Sequence, residues 1–290
     1  MFTNIFCKFL ISKNLISEDD AFLIKLEQNR TKVKLGLIAV SEKLMTEQQA
    51  DQVNQKQQRM DKRFGDIAIE MGLLTSVQVE RLLSLQGNPY MQFCQCMSDK
   101  GLMSLAQIEG ALDDFQKENG FTNTDMDDFK SGDIDRIIPL YLPAIPDGPL
   151  IDLLSVTFRS LYRLVSSDIC LKKGYMTSNY QSGVYAQQEM FGDYNAVTAF
   201  SGSESGILAV AEGFAKEFFE KIDINALDSV GEFINIADGL FVTGKSYEGM
   251  EIDLKPPMYS ETPETMNGST VCVVPIEVNQ EAVDLVVKLM

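Results

Sequence analysis

The chain has 290 residues, no histidine and a formal charge of -17, so it can bury the cores of one large or two medium domains, and two are expected. Without histidine the usual Ser-His-Asp and Cys-His nucleophile systems are excluded. The charge is uneven, with 14 Lys+Arg against 16 Asp+Glu in residues 1–121 and 11 against 26 beyond, so duplex nucleic acid and anionic membrane are poor partners for the C-terminal part. A small anionic ligand could still find a cationic pocket in the N-terminal part.

The opening MFTNIFCKFLISKNLIS is too short and too polar for a secretory signal, and no apolar run approaches the roughly 20 residues that span a bilayer. A cytoplasmic protein with no membrane span is expected. Cys7, Cys94, Cys96, Cys170 and Cys272 fit no disulfide framework, and Cys94-Gln-Cys96 lacks a second ligand pair, so buried free thiols and no metal site are expected.

Leu15, Leu44, Leu73 and Leu102 recur at intervals of 29 residues. Each precedes Ser17, Thr46, Thr75 or Ser104, followed three positions on by Asp20, Gln49, Gln78 or Gln107. That pairing is the signature of a helix N-cap, because both side chains reach backbone N–H groups left open in the first turn. Amphipathic helices follow, with Ala21 and Ile24, Ala50 and Val53, Val79 and Leu82, and Ile108 and Ala111 in equivalent positions. The pattern predicts an all-helical repeat domain over residues 1–120, in which neighbouring units cover one another's apolar faces.

The two central segments, KLGLIAVSEKLMTEQQADQVNQKQ and RFGDIAIEMGLLTSVQVERLLSLQ, are separated by QRMDK. This pair resembles the tandem motif in the N-terminal domain of type II secretion and pilus-assembly ATPases, some of which bind cyclic di-GMP. The resemblance implies ligand contacts from Lys34, Leu35, Gly36 and Gln57 in the first motif, and from Arg63, Gly65, Gly72 and Gln86 in the second. Glycines permit close approach of a flat base, and a guanidinium offers two parallel donors to guanine or phosphate. Lys34, Lys43 and Phe64 depart from the pattern, and lysine lacks the planar fork. A repeat domain that docks protein and binds no nucleotide is the alternative.

Residues 119–135, NGFTNTDMDDFKSGDID, are acidic and poor in aliphatic side chains, which predicts an exposed connector; with the proline-rich stretch after it, the linker is placed at 121–147. Beyond it, a helix is expected near 150–164, strands near 184–191 and 196–200, a helix near 207–220, a helix running to Gly239, an extended segment near 250–254 and a strand at 271–278. This succession predicts an α+β domain over 148–290 with a mostly antiparallel sheet. GLFVTGKS at 239–246 satisfies the P-loop expression but follows a helix, the reverse of the order a phosphate cradle needs. GSESG at 202–206 has Glu204 where a nucleophile elbow has serine.

The stretch DSVGEFINIADG carries two faces. At about 100° per residue, Leu227, Val230, Ile234, Ala237 and Phe241 form an apolar stripe, and Asp228, Glu232, Asn235 and Gly239 lie nearly opposite. Asp228, Glu232 and Asn235, followed after 21 residues by Pro257, resemble the signature of the CheC/CheX/FliY family, phosphatases of the phosphorylated chemotaxis regulator CheY. The order of elements over 148–290 is similar to the CheX branch. Aligning Asp152 with Asp228 puts Val156 and Arg159 where the first helix of a two-site member would carry glutamate and asparagine.

The resemblance implies Glu232 and Asn235 as catalytic residues, with Asp228 and Pro257 supporting. It implies a phosphorylated response-regulator receiver domain as partner, a homodimer through the C-terminal domain as a further option, and no cofactor beyond the Mg2+ of the receiver. The alternatives are a receiver-binding adaptor without catalysis, or a cyclic di-GMP effector.

Overall fold

The computed structural model describes residues 1–144 and 148–290, and of 266–269 the backbone alone. The chain divides into two compact units, residues 2–132 and 133–290.

The N-terminal unit is helical: α1 Phe2–Ser12, α2 Glu18–Glu27, α3 Leu35–Ser41, α4 Glu47–Gln57, α5 Phe64–Glu70, α6 Ser76–Ser84, α7 Pro89–Asp99, α8 Leu105–Asn119 and α9 Asn123–Ser131. Ser17, Thr46, Thr75 and Ser104 each close a reciprocal capping box with the residue three positions on, opening α2, α4, α6 and α8. Ala21, Ile24, Ala50, Val53, Leu82, Ile108 and Ala111 are buried behind those caps.

The acidic stretch read as a connector is largely structured, which corrects the expected linker. Thr122 closes another capping box, with Asp125, and opens α9. Met126 and Phe129 are buried, and Phe129 lies 4.8 Å from the rings of both Phe2 and Phe115. Two apolar residues at i, i+3 suffice to seat the helix, while its acidic side chains face solvent and dominate the composition. Gly132, at φ 71°, ends it in the left-handed conformation that glycine adopts without steric penalty. Residues 134–141 form α10, Ile134–Tyr141, with Ile137, Ile138 and Tyr141 buried in the second unit. The last three positions of the expected linker, 145–147, lie outside the described residues.

The C-terminal unit continues with α11 Gly148–Ser160 and a π-helical turn at Leu161–Val165, then β1 Ile169–Leu171, β2 Tyr175–Gln181, β3 Val184–Gly192 and β4 Ala196–Gly202. There follow α12 Glu204–Ala215, α13 Ile224–Tyr247, β5 Ile252–Leu254, β6 Met258–Ser260, β7 Thr265–Val278 and β8 Glu281–Leu289. The antiparallel sheet has the order β1-β7-β8-β4-β3-β5, with β2 also paired to β7 and β6 to β3. Helices α12 and α13 pack on it, burying Phe200 of β4 edge-on against Phe233 of α13 at 5.6 Å. Asn279 and Gln280, both at positive φ, make the two-residue turn between β7 and β8, the geometry that suits the twist of paired strands. The fold is thus an all-α unit followed by an α+β unit with an antiparallel sheet. Among the described residues no helix is long and apolar enough to cross a membrane.

Candidate active site

Helix α13 is longer than its sequence pattern indicates. It opens at Asp223, whose carboxylate accepts from the backbone N–H groups of Asn225 and Ala226, and it runs through GLFVTGKS without a break. The P-loop expression therefore lies wholly within a helix, where the backbone donors are spent on intrahelical bonds. Its Lys245 is buried and pairs with Asp152 at 2.5 Å and Glu248 at 2.9 Å.

Leu227, Val230, Ile234, Ala237 and Phe241 are buried against the core. Asp228 and Glu232 are exposed, and Asn235 is half-buried at the rim of the same face. Asp228 sits one turn inside the helix and is not its cap; that role belongs to Asp223. Pro257 lies against Gly231, where an added Cβ would stand 3.0 Å from the proline Cβ, so the segment after β5 rests on α13 beside Glu232.

Beneath Asn235 is a buried polar group that sequence reasoning missed. Gln188 on β3 is 1% exposed, and its Nε2 donates to Asn235 Oδ1 and to the Lys255 carbonyl, both at 2.8 Å. Thr198 faces Gln188 across the β3–β4 register, and Asp238 lies one turn beyond Asn235. Asp238 is fully buried, and burial pushes its carboxyl up to about 8; Thr198 alongside pulls slightly the other way. Among the described residues neither Asp238 oxygen nor the Thr198 hydroxyl reaches hydrogen-bond geometry. The signal for this group was a glutamine at an inward strand position between Ala186 and Met190, and an aspartate next to the apolar stripe.

On α11, Val156 is half-buried and Arg159 pairs with Asp135 at 2.6 Å, beside a groove of about 390 Å³ that also holds Asp152 and Lys245. All five cysteines are buried and none is in a disulfide, and burial pushes Cys94 up to about 12 and Cys272 to about 11. Among the described residues no cluster of three or more metal-ligating side chains is present.

In the N-terminal unit, Lys34, Leu35, Gln57, Arg63, Gly65 and Gln86 are brought together around a cavity of about 740 Å³. Two of the expected eight residues fall elsewhere. Gly36 opens on a neighbouring groove and lies against the Phe64 ring, where an added Cβ would meet it at 3.0 Å. Gly72, at φ 69°, is the left-handed turn residue after α5, with open space around it. The two glutamines cross-brace the tandem: Gln57 Nε2 donates to the carbonyl of Lys62, just before Arg63, and Gln86 Nε2 donates to that of Val33, just before Lys34. Lys34 is held by Asp99 at 3.0 Å, whereas Arg63 makes no ion pair among the described residues.

The site and its sheet define a class, an antiparallel α+β unit that presents a glutamate and an asparagine on the outer face of one long helix. Residues 184–277, from β3 to β7, match the family model of the chemotaxis phosphatase CheX, and this stretch contains Gln188, Glu232, Asn235 and Pro257. Similar solved structures include CheX of Desulfovibrio desulfuricans, at 18% identity over 50% of this chain and 100% of that one, TM-score 0.43. CheX of Vibrio vulnificus is similar at 15% identity over 50% and 100%, TM-score 0.43. A CheX-CheY-BeF3-Mg2+ complex of Borrelia burgdorferi is similar at 18% identity over 48% and 96%, TM-score 0.36. No curated protein gives a match to this chain.

Proposed function

We propose that the C-terminal unit hydrolyses the aspartyl phosphate of a response-regulator receiver domain of the CheY type. The observation that carries this reading is the placement of Glu232 and Asn235 on the outer face of α13, within the stretch that matches the CheX family model. An acyl phosphate is already activated, and a receiver brings its own Mg2+ and lysine, so the phosphatase need only hold a water in line with phosphorus. The water oxygen bonds to phosphorus as the bond from phosphorus to the aspartate oxygen breaks. The receiver regains its carboxylate, and the water proton leaves with inorganic phosphate or solvent. Asn235 serves this step with a neutral amide that needs no shifted pKa, which accounts for a site without histidine. Glu232, one turn earlier, makes no ion pair among the described residues, and its carboxylate is exposed to bind a receiver lysine. The test is the rate of phosphate loss from each phosphorylated receiver of the cell, with and without this protein. A set of receivers none of which loses phosphate faster would refute the reading.

For the N-terminal unit we propose cyclic di-GMP as ligand. The guanidinium of Arg63, without an ion pair among the described residues, lines the cavity with Lys34, Gly65 and backbone turns that the two glutamines hold in place. Titration calorimetry on the full chain tests this proposal.

A further inference from the structure

An asparagine amide has two ends of nearly equal shape and opposite chemistry, and the end that faces solvent decides whether it donates or accepts there. In this protein that choice is made by a chain of contacts that begins at a backbone carbonyl. The Lys255 carbonyl can only accept. It is held in place because the Lys255 N–H donates to the Glu189 carbonyl at 2.9 Å and Lys255 Nζ pairs with the Glu189 carboxylate at 2.6 Å. Gln188 must therefore turn its nitrogen toward Lys255, and that same nitrogen donates to Asn235 Oδ1. A reversed Gln188 would set its carbonyl oxygen against Lys255 O. A reversed Asn235 would set N–H against N–H.

The oxygen of Asn235 is thus directed inward and its Nδ2 outward, where it donates to no group among the described residues. The arrangement carries a cost in stability. Gln188 Oε1 is buried without a partner among the described residues, in a row that otherwise holds Ala186 and Met190. An apolar residue there would remove that orphan acceptor, so the glutamine is explained by its nitrogen and not by packing.

We propose that Gln188 is a positioning residue that sets the polarity of Asn235, so that the outer face of α13 presents amide N–H donors to the attacking water or to a phosphoryl oxygen. The catalytic consequence rests on the phosphatase reading above; the orientation of the amide does not.

The experiment has two arms on the full-length protein. In the first, Gln188→Met and Gln188→Glu are compared with wild type on the receiver that the wild type dephosphorylates. Both variants should fold and lose at least ten-fold in kcat with receiver Kd changed less than two-fold. A folded Gln188→Met protein with undiminished kcat would overturn the catalytic role, and so would a parallel loss of kcat and affinity. In the second arm, side-chain amide NMR should show slow hydrogen exchange for Gln188 Nε2, fast exchange for Asn235 Nδ2, and a through-bond coupling from Gln188 Nε2 to the Asn235 carbonyl carbon. Protected Asn235 protons or absence of the coupling would overturn the orientation. Should the wild type act on no receiver, the phosphatase reading falls, and the NMR arm alone decides whether Gln188 sets the amide.

Discussion

Gly231 of α13 and Pro257 of the segment after β5 are in contact, so close that one added methyl group at Gly231 would stand 3.0 Å from the proline. This contact holds the backbone that carries Lys255 against the helix that carries Asn235. Gly231→Val should overpack it, at about 1–3 kcal/mol. Gly231→Ala should be nearly neutral, because a gain of about 1 kcal/mol in helix propensity offsets the squeeze. Denaturant unfolding of the two variants measures the difference.

Asn235→Ala should abolish receiver dephosphorylation while leaving the fold intact, since the side chain sits at the rim of the outer face. Loss of a group that positions the attacking water typically removes on the order of 2–4 kcal/mol of transition-state stabilisation. Glu232→Ala should act mainly on affinity, weakening the receiver complex by about ten-fold, as expected for one charge-assisted contact. Single-turnover rates and receiver titrations separate the two effects.

Asp238 should make stability fall as pH rises. The unfolded chain releases this proton near 3.8, while the folded chain holds it up to about 8. Between those values the folded state binds more protons, so raising the pH favours unfolding. Asp238→Asn should flatten that dependence and stabilise the protein at pH 8 relative to the wild type, with the advantage fading toward pH 4. Thermal melts across that range give the slope directly.

Phe129→Ala should destabilise the N-terminal unit by about 3–5 kcal/mol, because it empties a site between the rings of Phe2 and Phe115. Limited proteolysis provides a second measurement. Residues 123–131 should resist cleavage in the wild type and become sensitive in the variant, whereas an exposed connector would be cut in both.

Arg63→Ala should reduce cyclic di-GMP affinity more than Lys34→Ala. Arg63 offers a two-pronged donor and has no ion pair among the described residues, whereas Lys34 is already engaged by Asp99. Binding should weaken with salt, because contacts near the surface are screened. Calorimetry on the full chain and the two variants tests the order.

Local sequence determined the parts of this protein that depend on neighbours in the chain. Ser17, Thr46, Thr75 and Ser104 cap their helices because both partners of each box lie within one turn. The buried and exposed faces of α13 follow from the 3.6-residue period alone. Some elements gave weak local signals: β2 is YMTSNYQ, a largely exposed and polar strand specified by its pairing with β7, and α9 owes its place to two buried side chains among acidic ones. The contacts that decide the candidate site join residues distant in the chain. Gln188 and Asn235 are 47 positions apart, Gln188 and Lys255 67, and Gln86 and Val33 53. No periodicity encodes such pairs, because strand register and helix packing bring them together only once the chain has folded. Sequence therefore placed an asparagine on the outer face of a helix, and tertiary structure alone decided which end of its amide faces outward.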